Sequence, residues 1–248
     1  MKKTVLFILL FFNLFINAQI NQNDTIPKNK NVKFKYDALI IPSVLIGFGF
    51  VGLESHSIKD LNSDTKNELG EHIDEKITID DFSQYLPFVS VYALNAAGIK
   101  GKNNFKDRTI ILATSYLIMG GTVNLVKMTG NEMRPDGTSN NSFPSGHTAT
   151  AFMGAEFLYQ EYKDVSVWYG ITGYVVATGT GLFRMYNNRH WLTDVSAGAG
   201  IGILSTKIAY WLHPIIKRHI FKDSDKLSGV IVPTYNGGKI GMGMAIRF

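Results

Sequence analysis

Three stretches of this chain run for eighteen or nineteen residues with at most one charge: Thr109 to Val126, Val165 to Phe183, and Val195 to Leu212, which holds only Lys207. Apolar runs of that length point to helices rather than strands, and they reach the lower limit for crossing a bilayer. Tyr36 to Leu53 (with Asp37), Tyr85 to Ile99 and the shorter Thr148 to Tyr159 complete the series. The spacing predicts an all-α bundle of five or six core helices, embedded in a membrane. The same segments also suit buried helices in a soluble or peripheral periplasmic bundle, and the mean hydropathy of +0.03 is low for a polytopic protein. Glycine (24) far exceeds proline (7), as closely packed helices require, and Gly198, Gly200 and Gly202 stand two residues apart.

The flanks divide the chain further. Lys2 and Lys3 precede the apolar run Val5 to Phe15, and Ile16-Asn17-Ala18 then puts a small residue where a signal peptidase would cut, before Gln19. That is the layout of a secretory leader over residues 1–18, with an uncleaved anchor as the other reading. Residues 19–84 read as a lead-in, an apolar helix and an acidic excursion. Residues 54–81 of that excursion carry nine acids against three lysines. Asp80 and Asp81 sit where first-turn acids would open the next helix. Residues 85–220 form the expected catalytic domain. Residues 221–248 read as a β-hairpin appendage around Asn236-Gly237-Gly238. The formal charge of +5 is too small to argue for nucleic acid, and the absence of cysteine excludes disulfides and thiolate chemistry.

Loop charge suggests an orientation. Lys100, Lys102, Lys106 and Arg108 lie between two apolar segments, and Lys217, Arg218 and Lys222 follow the last one. With both clusters cytoplasmic, residues 127–147 and 184–194 share the outer face. A cleaved leader would then require that only one of 36–53 and 85–99 spans.

Three motifs fall in those two outer stretches. Lys127-x6-Arg134-Pro135 places two cations at the mouth of an uncharged helix, which is costly unless an anion lies between them. In Phe143-Pro144-Ser145-Gly146-His147, Ser145 can cap a helix starting near His147, Gly146 lets backbone approach a ligand, and the helix start offers N–H groups to an anion. In Arg184-x5-His190-x3-Asp194, a helix would put Asp194 within reach of the Nδ1–H of His190. That leaves Nε2 unprotonated, as a nucleophile needs. Singly, each has a bland reading: an interfacial anchor, a structural histidine, a surface ion pair.

Taken together, the three motifs resemble the pattern K-x6-RP, PSGH and SR-x5-H-x3-D of the phosphatidic acid phosphatase type 2 / vanadium haloperoxidase superfamily, over about residues 85–212. One position departs, since Phe183 stands where the family has serine. Only eight residues separate Pro135 from Pro144, which is similar to the compact membrane lipid phosphatases of the family. The resemblance implies a metal-independent, cofactor-free phosphatase acting on a lipid phosphate on the extracytoplasmic side of a bacterial membrane. It implies His190 as nucleophile, Asp194 as its orienting partner, and His147 as general acid. Lys127, Arg134 and Arg184, with the N–H groups of Ser145 and Gly146, would hold the phosphoryl oxygens. Alternatives sharing the pocket are a soluble periplasmic acid phosphatase, a lipid phosphotransferase, a vanadate-holding haloperoxidase and a metal hydrolase. A membrane scaffold with a relic anion site is the non-enzymatic alternative.

Overall fold

The computed structural model describes residues 36–70, 78–220, 228–236 and 239–247. The expected leader at 1–18 lies outside the described residues. A 3-10 turn (Tyr36–Leu39) leads into eight α-helices: α1 (Ile40–Gly52), α2 (His56–Gly70), α3 (Ile79–Ser83), α4 (Leu86–Ala96), α5 (Phe105–Thr129), α6 (Gly146–Tyr162), α7 (Val167–Tyr186) and α8 (Leu192–Ile220). The additional helices come from the acidic excursion, which folds into α2 and the short α3.

Side-chain caps set where the long helices begin. The Asn104 side chain accepts from the Asp107 N–H at 2.8 Å and starts α5. Ser145 caps α6 by accepting from Thr148, and Ser166 caps α7 by accepting from Trp168. Each satisfies an amide that has no partner within its own helix.

Helix α6 is the centre of the bundle, packed most extensively against α7 and α8 and also against α4 and α5. Its Ala149 and Met153 pack with Met119, Val123 and Ile201 beneath the site. Phe157, Leu158 and Tyr162 pack with Val91, Ile111 and Ala209 at the far end. The glycine triplet of α8 explains how these helices come so close. At 100° per residue, positions four apart share a side and positions two apart do not. Gly198 and Gly202 accordingly face α6, where a Cβ would lie 2.5 Å from the Ser145 carbonyl oxygen and 2.2 Å from that of Ala149. Gly200 faces α1, where a Cβ would lie 2.6 Å from the Pro42 carbonyl oxygen.

Arg108 departs from its reading as a loop cation. It is 1% exposed, its Nε lies 3.5 Å from Glu161, and its Nη2 donates to the Asn103 carbonyl. The helix begins at Phe105, four residues before the uncharged run, and this draws Arg108 into the bundle. Lys207, the single charge of its segment, reaches Glu156 on α6 at 2.8 Å.

Large apolar side chains cover much of the outside. Leu117 and Met128 of α5 are 77% and 84% exposed, and Val44, Trp168 and Val175 also face outward. Among the described helices, α5 alone is long and apolar enough to cross a bilayer, while 36–52 and 56–69 pass that test only as a pair bent by 96°. Strands β1 (Ser228–Asn236) and β2 (Lys239–Arg247) pair antiparallel, with Ser228 opposite Arg247 and Asn236 opposite Lys239.

Candidate active site

All three motifs meet at one end of the bundle, where α5 and α7 end and α6 and α8 begin. Lys127, in the last turn of α5, donates from Nζ to the carbonyls of Asn141 and Ser142. It thereby ties the loop before α6 to the end of α5. Arg134 opens a tight turn in which the Gly137 N–H donates to the Arg134 carbonyl at 2.9 Å. Gly137 has φ +70°, a conformation available to glycine at little cost.

His190 lies just before α8 rather than on its face, so the helical spacing expected for the pair gives way to a turn. Asp194, in the first turn of α8, still reaches it: Oδ2 is 3.3 Å from His190 Nδ1. The same oxygen accepts from the Trp191 N–H at 2.9 Å and from the Ser142 hydroxyl. The bond to Trp191 is half of a capping box, in which a third-position carboxylate reaches back to the cap residue's amide. His190 and Asp194 are 3% and 0% exposed. Burial, followed by the charges of Arg184 and Lys127 and against the pull of Asp194, holds the His190 imidazole down to about 4. At neutral pH it is an uncharged base.

Ser145 requires a correction. Its N–H donates to the Asp194 carbonyl at 3.0 Å, and its hydroxyl caps α6 and lies 2.8 Å from Thr148 Oγ1. It therefore joins the start of α6 to α8, and its amide is not free for an anion. Its neighbour Gly146 is the first residue of α6.

Two residues singled out only as first-turn acids belong to the site. Asp80 of α3 is buried, accepting from Arg184 Nη1 at 2.6 Å and from Asn187 Nδ2 at 3.1 Å. Asp81 Oδ1 lies 3.0 Å from His147 Nε2. Burial first, then the charge of Arg184, hold His147 below the ordinary histidine range, while Asp81 works in the opposite direction. Helix α2 also contributes. Asn62 exchanges hydrogen bonds with Thr193, and Lys66 donates to the Pro135 carbonyl and lies 5.6 Å from the Trp191 ring centre. Helices α2 and α3, the described part of the acidic excursion, thus line the site.

Arg134 Nε, Arg184 Nε and Asp194 Oδ1 are buried with no hydrogen-bond partner. Burial and the proximity of Arg184 and Arg189 pull the Arg134 guanidinium below its ordinary range. Orphan guanidinium donors that repel one another are stabilised by an anion between them. Asp80, Asp81 and His147 bring three ligand atoms within 4.8 Å of one another. Arg184, however, already places a fixed positive charge on Asp80, which opposes a cation there.

Residues 108–218 match the model of the PAP2 superfamily. A lipid A 1-phosphatase from Porphyromonas gingivalis is 43% identical over 141 residues, 56% of this chain and 32% of that protein. The bacitracin transport permease protein BcrC of Bacillus licheniformis is 32% identical over 98 residues, 39% of this chain and 46% of that protein. The chain thus spans between about a third and just under half the length of the curated relatives it matches. Among solved structures, a transmembrane PAP2-type phosphatidylglycerolphosphate phosphatase from Bacillus subtilis aligns at 20% identity with a TM-score of 0.48, covering 72% of this chain and 98% of that one. The matched stretch contains every expected site residue but excludes Asp80 and Asp81.

Proposed function

We propose that this chain is a metal-independent lipid phosphatase working through a phosphohistidine. His190 Nε2 attacks phosphorus, the P–O bond to the lipid breaks, and His147 gives its proton to the leaving oxygen. Water activated by His147 then cleaves the phosphohistidine and releases inorganic phosphate. Asp194 orients the imidazole through Nδ1 and stabilises the positive charge that develops on it. Lys127, Arg134 and Arg184, with the Gly146 amide, hold the non-bridging oxygens, so charge stabilisation does not require a metal. The observation that carries the reading is the buried His190–Asp194 pair beside two unpartnered buried guanidinium nitrogens.

The substrate class follows from the relative named for lipid A 1-phosphate hydrolysis and from the apolar exterior: a phosphomonoester on a large lipid. Helix α5 crosses the bilayer in this reading, with its Lys127 end extracytoplasmic.

The test is phosphate release in EDTA by the purified full chain and its His190→Ala variant, offered phosphatidic acid, a lipid A phosphate and para-nitrophenyl phosphate. Release by the wild type and none by the variant is expected. Equal release by both, or none by the wild type from any substrate, would overturn the reading.

A further inference from the structure

The two acids of α3 lie outside the three motifs, and they differ in environment. Asp80 has both oxygens engaged, by Arg184 and Asn187, so its charge is matched and it acts to position Arg184. The Asp81 side chain is 53% exposed, and one of its oxygens, Oδ1, lies 3.0 Å from His147 Nε2 and 3.9 Å from Arg184 Nη1. His147 protonates the leaving oxygen in the mechanism above, and Arg184 holds the phosphoryl group. An oxygen that neighbours both stands on the leaving-group side of phosphorus, across from His190. Helix α3 is tied in place there. Besides the Asp80 contacts, Ser83 Oγ lies 2.7 Å from Thr180 Oγ1 of α7.

We propose, resting on the phosphatase reading of the site, that Asp81 is a specificity determinant. It selects phosphomonoesters whose leaving group is uncharged and bears hydroxyl or amide donors, and it acts against diphosphates. From a monoester, the P–O bond breaks, the His147 proton moves to the leaving oxygen, and a neutral alcohol departs whose donors Asp81 can accept. From a diphosphate, the P–O–P bridge breaks and the departing group is itself a phosphate anion beside the carboxylate. Like charges about 5 Å apart, in a medium between water and the protein surface, disfavour that state on the order of tenfold.

The experiment measures kcat/KM for dodecyl phosphate and dodecyl diphosphate in mixed micelles with EDTA, using the full-length wild type, Asp81→Asn, Asp81→Ser and Asp81→Glu. The wild type and Asp81→Glu should prefer the monoester. The two neutral variants should move the ratio toward diphosphate on the order of tenfold. A carboxylate that only orients His147 would lower both rates together and leave the ratio fixed, and that result overturns the inference while sparing the phosphatase reading. Absence of turnover of both substrates by the wild type overturns both. A control independent of any variant is ionic strength: raising it should narrow the wild-type preference, because the carboxylate is exposed to screening. A preference unchanged by salt contradicts a charge mechanism.

Discussion

Replacing Asp194 with asparagine removes a charge from a buried position while nearly preserving its shape. The amide oxygen can still accept from the Trp191 N–H and the Ser142 hydroxyl, as Asp194 Oδ2 does now. The other carboxylate oxygen has no partner, so the amide nitrogen placed there breaks no existing bond. The fold therefore loses little, and the thermal midpoint should stay within a few degrees of wild type. Catalysis should not escape. The carboxylate lies 3.3 Å from Nδ1 of His190, and the positive charge that develops on attack spreads toward Nε2. A mean separation of about 5 Å and an effective dielectric of about 20 give roughly 3 kcal/mol, on the order of a hundredfold in kcat. The assay is steady-state phosphate release from a saturating alkyl phosphomonoester, with the thermal midpoint measured on the same preparation. A kcat within threefold of wild type would refute the electrostatic role given to Asp194. A large fall in the midpoint would refute the claim that its charge serves chemistry rather than folding.

Other perturbations test neighbouring steps. His147→Ala should slow an alkyl phosphate on the order of 100- to 10,000-fold and para-nitrophenyl phosphate far less, because the aryl leaving group needs little protonation; equal losses in paired kinetics would remove His147 as the acid. The imidazole of His190 is held down to about 4, so the unfolded chain takes up a proton as pH falls below about 6.5 while the folded chain does not. Stability should thus be full above that range and fall by about 3 kcal/mol as pH drops from 6.5 to 4, read by denaturant unfolding in detergent. His190→Gln should flatten that dependence. Gly202→Ala puts a Cβ 2.2 Å from the Ala149 carbonyl oxygen and should cost roughly 1–3 kcal/mol, seen as a lowered thermal midpoint.

The long runs with at most one charge located α5, α7 and α8, because the burial of a helix needs an apolar stretch in the sequence. The motif cations and histidines were legible because each followed such a run and had a chemistry of its own. Asp80 and Asp81 were legible only as helix-opening acids. Their contacts with Arg184 and His147 bridge 104 and 66 residues, and an acidic segment gives no local sign of which carboxylate turns inward. Ser142 and Trp191 were missed for a related reason: a hydroxyl and a backbone amide that complete a carboxylate's shell leave no spacing to read. The glycine triplet was visible, yet its meaning depended on which helices would flank α8. Arg108 misled because a cation next to an apolar run looks like a loop anchor until the helix is seen to start before it.

Asp194 holds two parts of the site with different atoms. Its side chain fixes His190, and its carbonyl holds the first turn of α6, the helix that carries His147. Just behind that bond, Gly198 and Gly202 bring the α6 backbone against α8 with no side chain between them. The two histidines therefore ride on a single stiff frame whose spacing is set by backbone contact. Tilting of α5 or α7 would move Lys127 and Arg184, which end those helices, but leave the spacing of the two histidines unaltered.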